Sequence, residues 1–116
     1  MGLDQYATFR EKHHEPDFCW RKHSKLQQFM EDIWYKKLGR DDEFNCKELV
    51  LTKEMIQELL DALEKNNLPK SEGGFFYGHQ SQDESAKDYY EQDIKFCKDS
   101  LQAIEYGMEV VYECWY

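Results

Sequence analysis

Residues 17 to 26, DFCWRKHSKL, gather a thiol, an indole, an imidazole and three cations into ten positions of a chain with 24 acidic and 15 basic side chains. Two kinds of chemistry suit such a group. Arg21 can grip a carboxylate or phosphate through two parallel N–H bonds, a geometry that lysine lacks. Cys19 and His23 stand four apart, so one helical turn would bring a thiol to an imidazole, the pairing that makes a thiolate nucleophile. The plainer reading of Cys19 is a core cysteine.

A second set lies at the two ends of the chain. Asp4, Tyr6 and Arg10 repeat at even spacing near the start, and Glu109, Val111, Glu113 and Trp115 do so near the end. In extended chain, residues two apart share one face. If the two faces lie side by side, acids, a phenol and an indole converge, which suits a cationic or aromatic small ligand or a second copy of the chain. Paired acids can serve general acid–base chemistry or hold Mg²⁺; acids on an edge strand also simply discourage aggregation.

These residues need elements to position them. Leu3, Ala7 and Phe9 alternate with Asp4, Tyr6 and Thr8, which predicts a strand over 2–10. From Pro16 to Gly39 the apolar spacing is helical, through Leu26, Phe29, Met30, Ile33 and Trp34, and Gly39 is a suitable stop. A start at Ser24, with Gln27 completing a capping box, is the shorter option; the longer helix from Pro16 is the expectation. CKELVLT predicts a short strand, and Thr52 caps a helix carrying Met55, Ile56, Leu59, Leu60 and Leu63 on one side. That helix stops at Asn66-Asn67. SEGGFFYGHQ is a short strand or a packed loop. A third helix over 84–106 presents Ala86, Tyr90, Ile94, Cys97, Leu101 and Ile104, and MEVVYECWY closes the chain as a strand of β-branched and aromatic residues.

The sum is one α+β domain over 1–116: a small, mostly antiparallel sheet of three or four strands, covered on one face by three helices. The N- and C-terminal strands should pair, because neither is stable alone.

A helical wheel over the longer first helix divides the opening cluster. The stripe through Leu26 and Met30 extends back to Lys22 and Cys19, Arg21 points away, and His23 lies at the border. An inward lysine needs a carboxylate, and Asp4 and Asp93 are the natural partners; otherwise Lys22 snorkels to water. The candidate ligand-binding residues are therefore Asp4, Tyr6, Trp20, Arg21, Lys22, Asp93 and Trp115.

Several functions are disfavoured. A formal charge of −9 works against nucleic-acid binding, which needs a positive surface. The four cysteines form no C-x-x-C pair and no zinc spacing. No phosphate-binding glycine motif and no G-x-S-x-G elbow is present, so no cofactor and no metal is expected. No run reaches the ~18 apolar residues of a membrane span, and the opening residues lack an apolar leader. The chain is expected in the cytoplasm with reduced thiols.

MGLDQYA, WRKHSKLQQFM, FNCKELVLT, GGFFYG, YYEQDIKF and YECWY, in this order along nearly the whole chain, resemble a widespread group of small phage and bacterial proteins. These open Met-Gly-Leu-Asp-x-Tyr and carry Trp-Arg-Lys ahead of a helix. The matching positions are Gly2, Leu3, Asp4, Tyr6, Trp20, Arg21, Lys22, Cys46, Gly74, Phe75, Phe76, Gly78 and Trp115. Many relatives continue with Ala-Asn and then Ile-His-x-Trp; here His23-Ser24 and Leu26-Gln27-Gln28-Phe29 stand there, so that asparagine and histidine are absent. The resemblance implies a host-cytoplasmic setting and singles out Asp4, Arg21 and Lys22. Two functional classes follow: a non-enzymatic binding or host-modulating protein with a homodimeric, host or phage protein partner, or a small-molecule site, enzymatic or not, for an anionic ligand or nucleotide around Arg21 and Lys22.

Overall fold

The structure is a computed structural model, and it describes residues 3–10, 16–69 and 86–116. SEGGFFYGHQ and the first residues of the expected third helix lie outside that set.

Four strands form one antiparallel sheet in the order β2-β1-β4-β3: β1 Asp4–Arg10, β2 Phe18–Arg21, β3 Glu48–Leu51 and β4 Glu109–Trp115. The chain's two ends make the central pair, with Asp4 opposite Trp115 and Arg10 opposite Glu109. That is the pairing expected from their alternation. Three longer helices among the described residues pack with it. Helix α1, Ser24–Glu31, runs on through a wider π-helical turn at Asp32–Lys37; α2 is Lys53–Glu64 and α3 is Tyr90–Glu105.

Local chemistry explains the boundaries. The Thr52 side chain accepts the Met55 amide at 3.3 Å, and Glu54 sits in the first turn of α2, where the helix dipole favours an acid. Asn66 takes a positive φ of 51°, and the Asn67 amide returns to the Ala62 carbonyl, closing the C-terminus. Gly39, at φ 64°, ends the turn after α1.

The expected helix from Pro16 is corrected. Residues 18–21 are a strand on the sheet edge, with Phe18 and Trp20 opposite inward-facing Ala7 and Gln5, and Cys19 and Arg21 opposite outward-facing Tyr6 and Asp4. Lys22 then adopts φ 59°, a left-handed backbone that a continuing helix or strand does not take, and α1 begins two residues later. The face of α3 is also rotated from the expected one. Asp93, Phe96, Cys97, Ser100 and Ala103 are buried, whereas Tyr90 is exposed. A less apolar stripe faces the core because its acid, Asp93, is placed to bond there, as described below, whereas the Ser100 hydroxyl has no hydrogen-bond partner among the described residues.

Inward strand residues, among them Leu3, Ala7, Trp20, Leu49, Leu51, Val110 and Tyr112, join Leu26, Met30, Ile56, Leu59 and Phe96 of the helices in one core. The described helices pack on this face of the sheet; among the described residues, none covers the other. No described helix is long and apolar enough to cross a membrane.

Candidate functional site

The corner where β2 turns into α1 is held from three sides. Gln5, fully buried at an inward position of β1, clamps the backbone of His23: its Oε1 accepts the His23 amide at 2.9 Å and its Nε2 donates to the His23 carbonyl at 3.0 Å. Tyr89, just before α3, stacks on the His23 ring with centroids 5.3 Å apart. Its hydroxyl accepts the Arg21 amide at 3.0 Å and faces the Arg21 carbonyl at 3.3 Å. Gln92 donates to the Cys19 carbonyl at 2.7 Å.

Asp93 lies beneath this corner, fully buried. The Trp20 indole donates to its Oδ1 at 2.7 Å, and His23 Nε2 stands 2.6 Å from its Oδ2. Each carboxylate oxygen thus meets one ring nitrogen, while His23 Nδ1 has no hydrogen-bond partner among the described residues. Burial raises the Asp93 carboxyl above its ordinary value, and the hydrogen bonds from His23 and Trp20 oppose that rise. A second buried chain runs from Gln5 to the Tyr112 hydroxyl (2.9 Å), on to Gln27 Oε1 (2.6 Å), and from Gln27 Nε2 to Cys114 Sγ (3.3 Å).

This geometry corrects the reading of the cluster. Lys22 is not the inward residue, and neither Asp4 nor Asp93 is its partner. The inward place belongs to His23, which takes Asp93 together with Trp20. Asp4 stands near Arg21 instead, at 3.7 Å and with both side chains well exposed. The error came from a helical period of 100° laid over residues that alternate as a strand. It also removes the Cys19–His23 pair, since Cys19 is exposed on the outer side while His23 is sealed inside.

The expected set therefore divides. Asp4, Tyr6, Arg21 and Trp115 share the uncovered face of the sheet; Trp20 and Asp93 are bonded to each other below it; Lys22 is half-buried at the corner. Arg21 and Lys22, with Asp88 and Tyr89, border an open hollow of about 600 Å³. Gln5, Gln27, Tyr89 and Tyr112 were missed. Gln5 had a signal, being the one polar residue in the inward series Leu3, Gln5, Ala7, Phe9.

The face that no described helix covers carries four rows in register, with Val111 buried on it. Arg21 and Cys19 lie beside Asp4 and Tyr6; Asp4, Tyr6, Thr8 and Arg10 lie beside Trp115, Glu113, Val111 and Glu109; Glu113 and Val111 lie beside Glu48 and Val50. Trp115 and Val50 are exposed, at 54% and 43%. Arg10 bonds to Glu48 at 2.8 Å and reaches Glu109 at 3.5 Å. Glu113 is raised above the usual glutamate value, chiefly by burial and then by the neighbouring Glu48, while Arg10 and the Trp115 indole pull it back.

Burial pushes the thiol of Cys114 up to about 12, and that of Cys97 higher still, so neither serves as a nucleophile near neutral pH. Among the described residues, no group of three or more His, Cys, Asp or Glu side chains could hold a metal ion. Compared with protein-family models, with curated proteins and with solved structures, the chain matches none.

Proposed function

We propose that the chain is a non-enzymatic binding protein of the phage-type group it resembles, acting in the host cytoplasm, with the uncovered sheet face as its working surface and a basic protein as its partner. The observation that carries this reading is the register. Three strands, β1, β4 and β3, align Asp4, Tyr6, Arg10, Glu48, Val50, Glu109, Glu113 and Trp115 on the one side of the sheet that no described helix covers. A buried-polar alternative is weaker, because His23 and Asp93 are both fully enclosed and bonded to each other, out of reach of any substrate.

Charge supports a basic partner. The face sets four acids, Asp4, Glu48, Glu109 and Glu113, against two arginines, Arg10 and Arg21. A second copy would bring the same surplus, and like charges across an interface are unfavourable; a basic surface is complementary. Val50 and Trp115 supply apolar contact, and tryptophan is enriched among the residues that dominate binding energy.

The open hollow beside Arg21 and Lys22 supports the second reading, a site for a small anionic ligand. One experiment separates the two. The protein is used to capture partners from a bacterial lysate, a captured protein is identified, and its purified form is rebound to variants. Loss of binding on Val50→Lys, with Arg21→Ala nearly unchanged, is the expected result. Binding that survives Val50→Lys contradicts the sheet-face reading, and loss confined to Arg21→Ala moves the site to the hollow.

A further inference from the structure

We infer that the crevice bounded by Tyr6, Thr8, Pro16, Glu113 and Trp115 seats the cationic head of a lysine or arginine side chain presented by the partner protein, an inference that rests on the sheet-face reading above. The crevice measures about 280 Å³. Drug-sized ligands occupy pockets of roughly 300–1,000 Å³; this one lies at the small end and has room for the end of a side chain.

Its walls and its charge fit together. Tyr6 stands directly opposite Glu113, and Trp115 follows two positions later on the same side. Aromatic ring faces attract ammonium and guanidinium groups, most strongly for tryptophan, and the attraction grows when water is excluded. Glu113 supplies the opposite charge and makes no ion pair with a cation among the described residues: Arg10, which favours its ionised form only through space, bonds to Glu48 and Glu109 instead. Glu48 stands opposite Glu113 on the other flank, where its charge and a side-chain hydrogen bond between the two acids both disfavour the ionised form of Glu113, and an arriving cation favours it. An anion would meet both acids, and an apolar group would bury the Glu113 carboxylate without compensation.

The three indole N–H groups make a direct test in ¹⁵N-labelled protein. Trp20 is bonded to Asp93 and Trp34 to the Asp42 carbonyl, whereas the Trp115 indole meets Glu113 at the wall of the crevice. The probes are a blocked Gly-Gly-Lys-Gly-Gly peptide, its arginine and glutamine counterparts, and n-butylammonium at matched ionic strength. The lysine and arginine peptides should shift the Trp115 signal saturably, with Kd on the order of 1 mM, and leave Trp20 and Trp34 in place. The glutamine peptide should bind about tenfold more weakly, and Glu113→Gln should weaken the lysine peptide by about fivefold, both decided by the loss of a charge partner. No saturable shift, equal binding of the glutamine peptide, or indifference to Glu113→Gln overturns the inference. Butylammonium binding as tightly as the lysine peptide overturns the partner side chain as the source of the cation.

Val50 lies outside the crevice, so the two proposals fail separately. A partner lost on Val50→Lys, with no response to the lysine peptide, overturns the crevice alone. A lysine response together with a partner indifferent to Val50→Lys overturns the docking surface, and with it the partner as the cation's origin.

Discussion

Replacing Asp93 tests whether the buried corner is a structural joint. Its two oxygens meet the Trp20 indole at 2.7 Å and His23 Nε2 at 2.6 Å, and all three side chains are buried. Asp93→Leu leaves both ring nitrogens facing an apolar group. A buried polar group left without its partner costs about 1–3 kcal/mol, and Asp93→Leu strands two of them, so a loss of about 3–5 kcal/mol is expected. The relief of desolvating a carboxylate whose ionisation burial already disfavours keeps the loss from being larger. Asp93→Asn is milder. Its amide oxygen can still accept from Trp20, but its NH₂ group faces His23 Nε2. The imidazole then accepts through Nε2 and moves its proton to Nδ1, which has no described partner. One stranded donor predicts about 1–3 kcal/mol. Urea unfolding followed by far-UV circular dichroism measures both variants by linear extrapolation. In a double-mutant cycle, Trp20→Phe removes one of the donors that Asp93→Leu strands, so the two losses should add to less than their sum. An Asp93→Leu protein within about 1 kcal/mol of wild type would refute the reasoning, because that is the range of an ordinary neutral hydrogen bond.

Glu113→Gln should raise the melting temperature at pH 7, with the gain shrinking to nothing as pH falls below the ordinary glutamate value of 4.5. The sign follows from linkage: a carboxyl raised by burial and by Glu48 holds its proton longer in the folded chain, so its ionisation costs stability as pH rises through the folded value. Thermal melts across pH 4 to 8 check it, and a variant less stable than wild type at pH 7 contradicts it. Thiol titration gives a second check. Cys19 and Cys46 are exposed while Cys97 and Cys114 are buried, so a water-soluble disulfide reagent should consume two thiols quickly in the native protein and four in denaturant.

The strands at the two ends were legible because alternation is a local signal that survives without tertiary context. Leu3, Ala7 and Phe9, and Val110, Tyr112 and Cys114, all point inward, and their pairing follows from each needing a neighbour. Helix α2 was legible from Thr52 and a regular apolar stripe. The corner was not. Phe18 and Trp20 alternate with Cys19 and Arg21 over only four residues, too few to outweigh the helical pattern that follows, and the break at Lys22 is a left-handed backbone on a residue type that does not advertise one. The rotated face of α3 was hidden for a different reason. Asp93 and Ser100 look like surface residues by type, and only the partners brought from β2 and the start of α1 explain an acid at the centre of the core. On the open face, the residues were legible from their spacing, while their convergence needed the register of three strand pairs.

The most direct test of the sheet-face account is hydroxyl-radical footprinting of the protein alone and in complex with its purified partner. Trp115 and Tyr6 mark the uncovered face, and Tyr90 and Tyr106 are exposed at the two ends of α3. The account predicts strong protection of Trp115 and Tyr6, with the labelling of Tyr90 and Tyr106 unchanged. Protection of Tyr90 or Tyr106 while Trp115 stays fully reactive would contradict it.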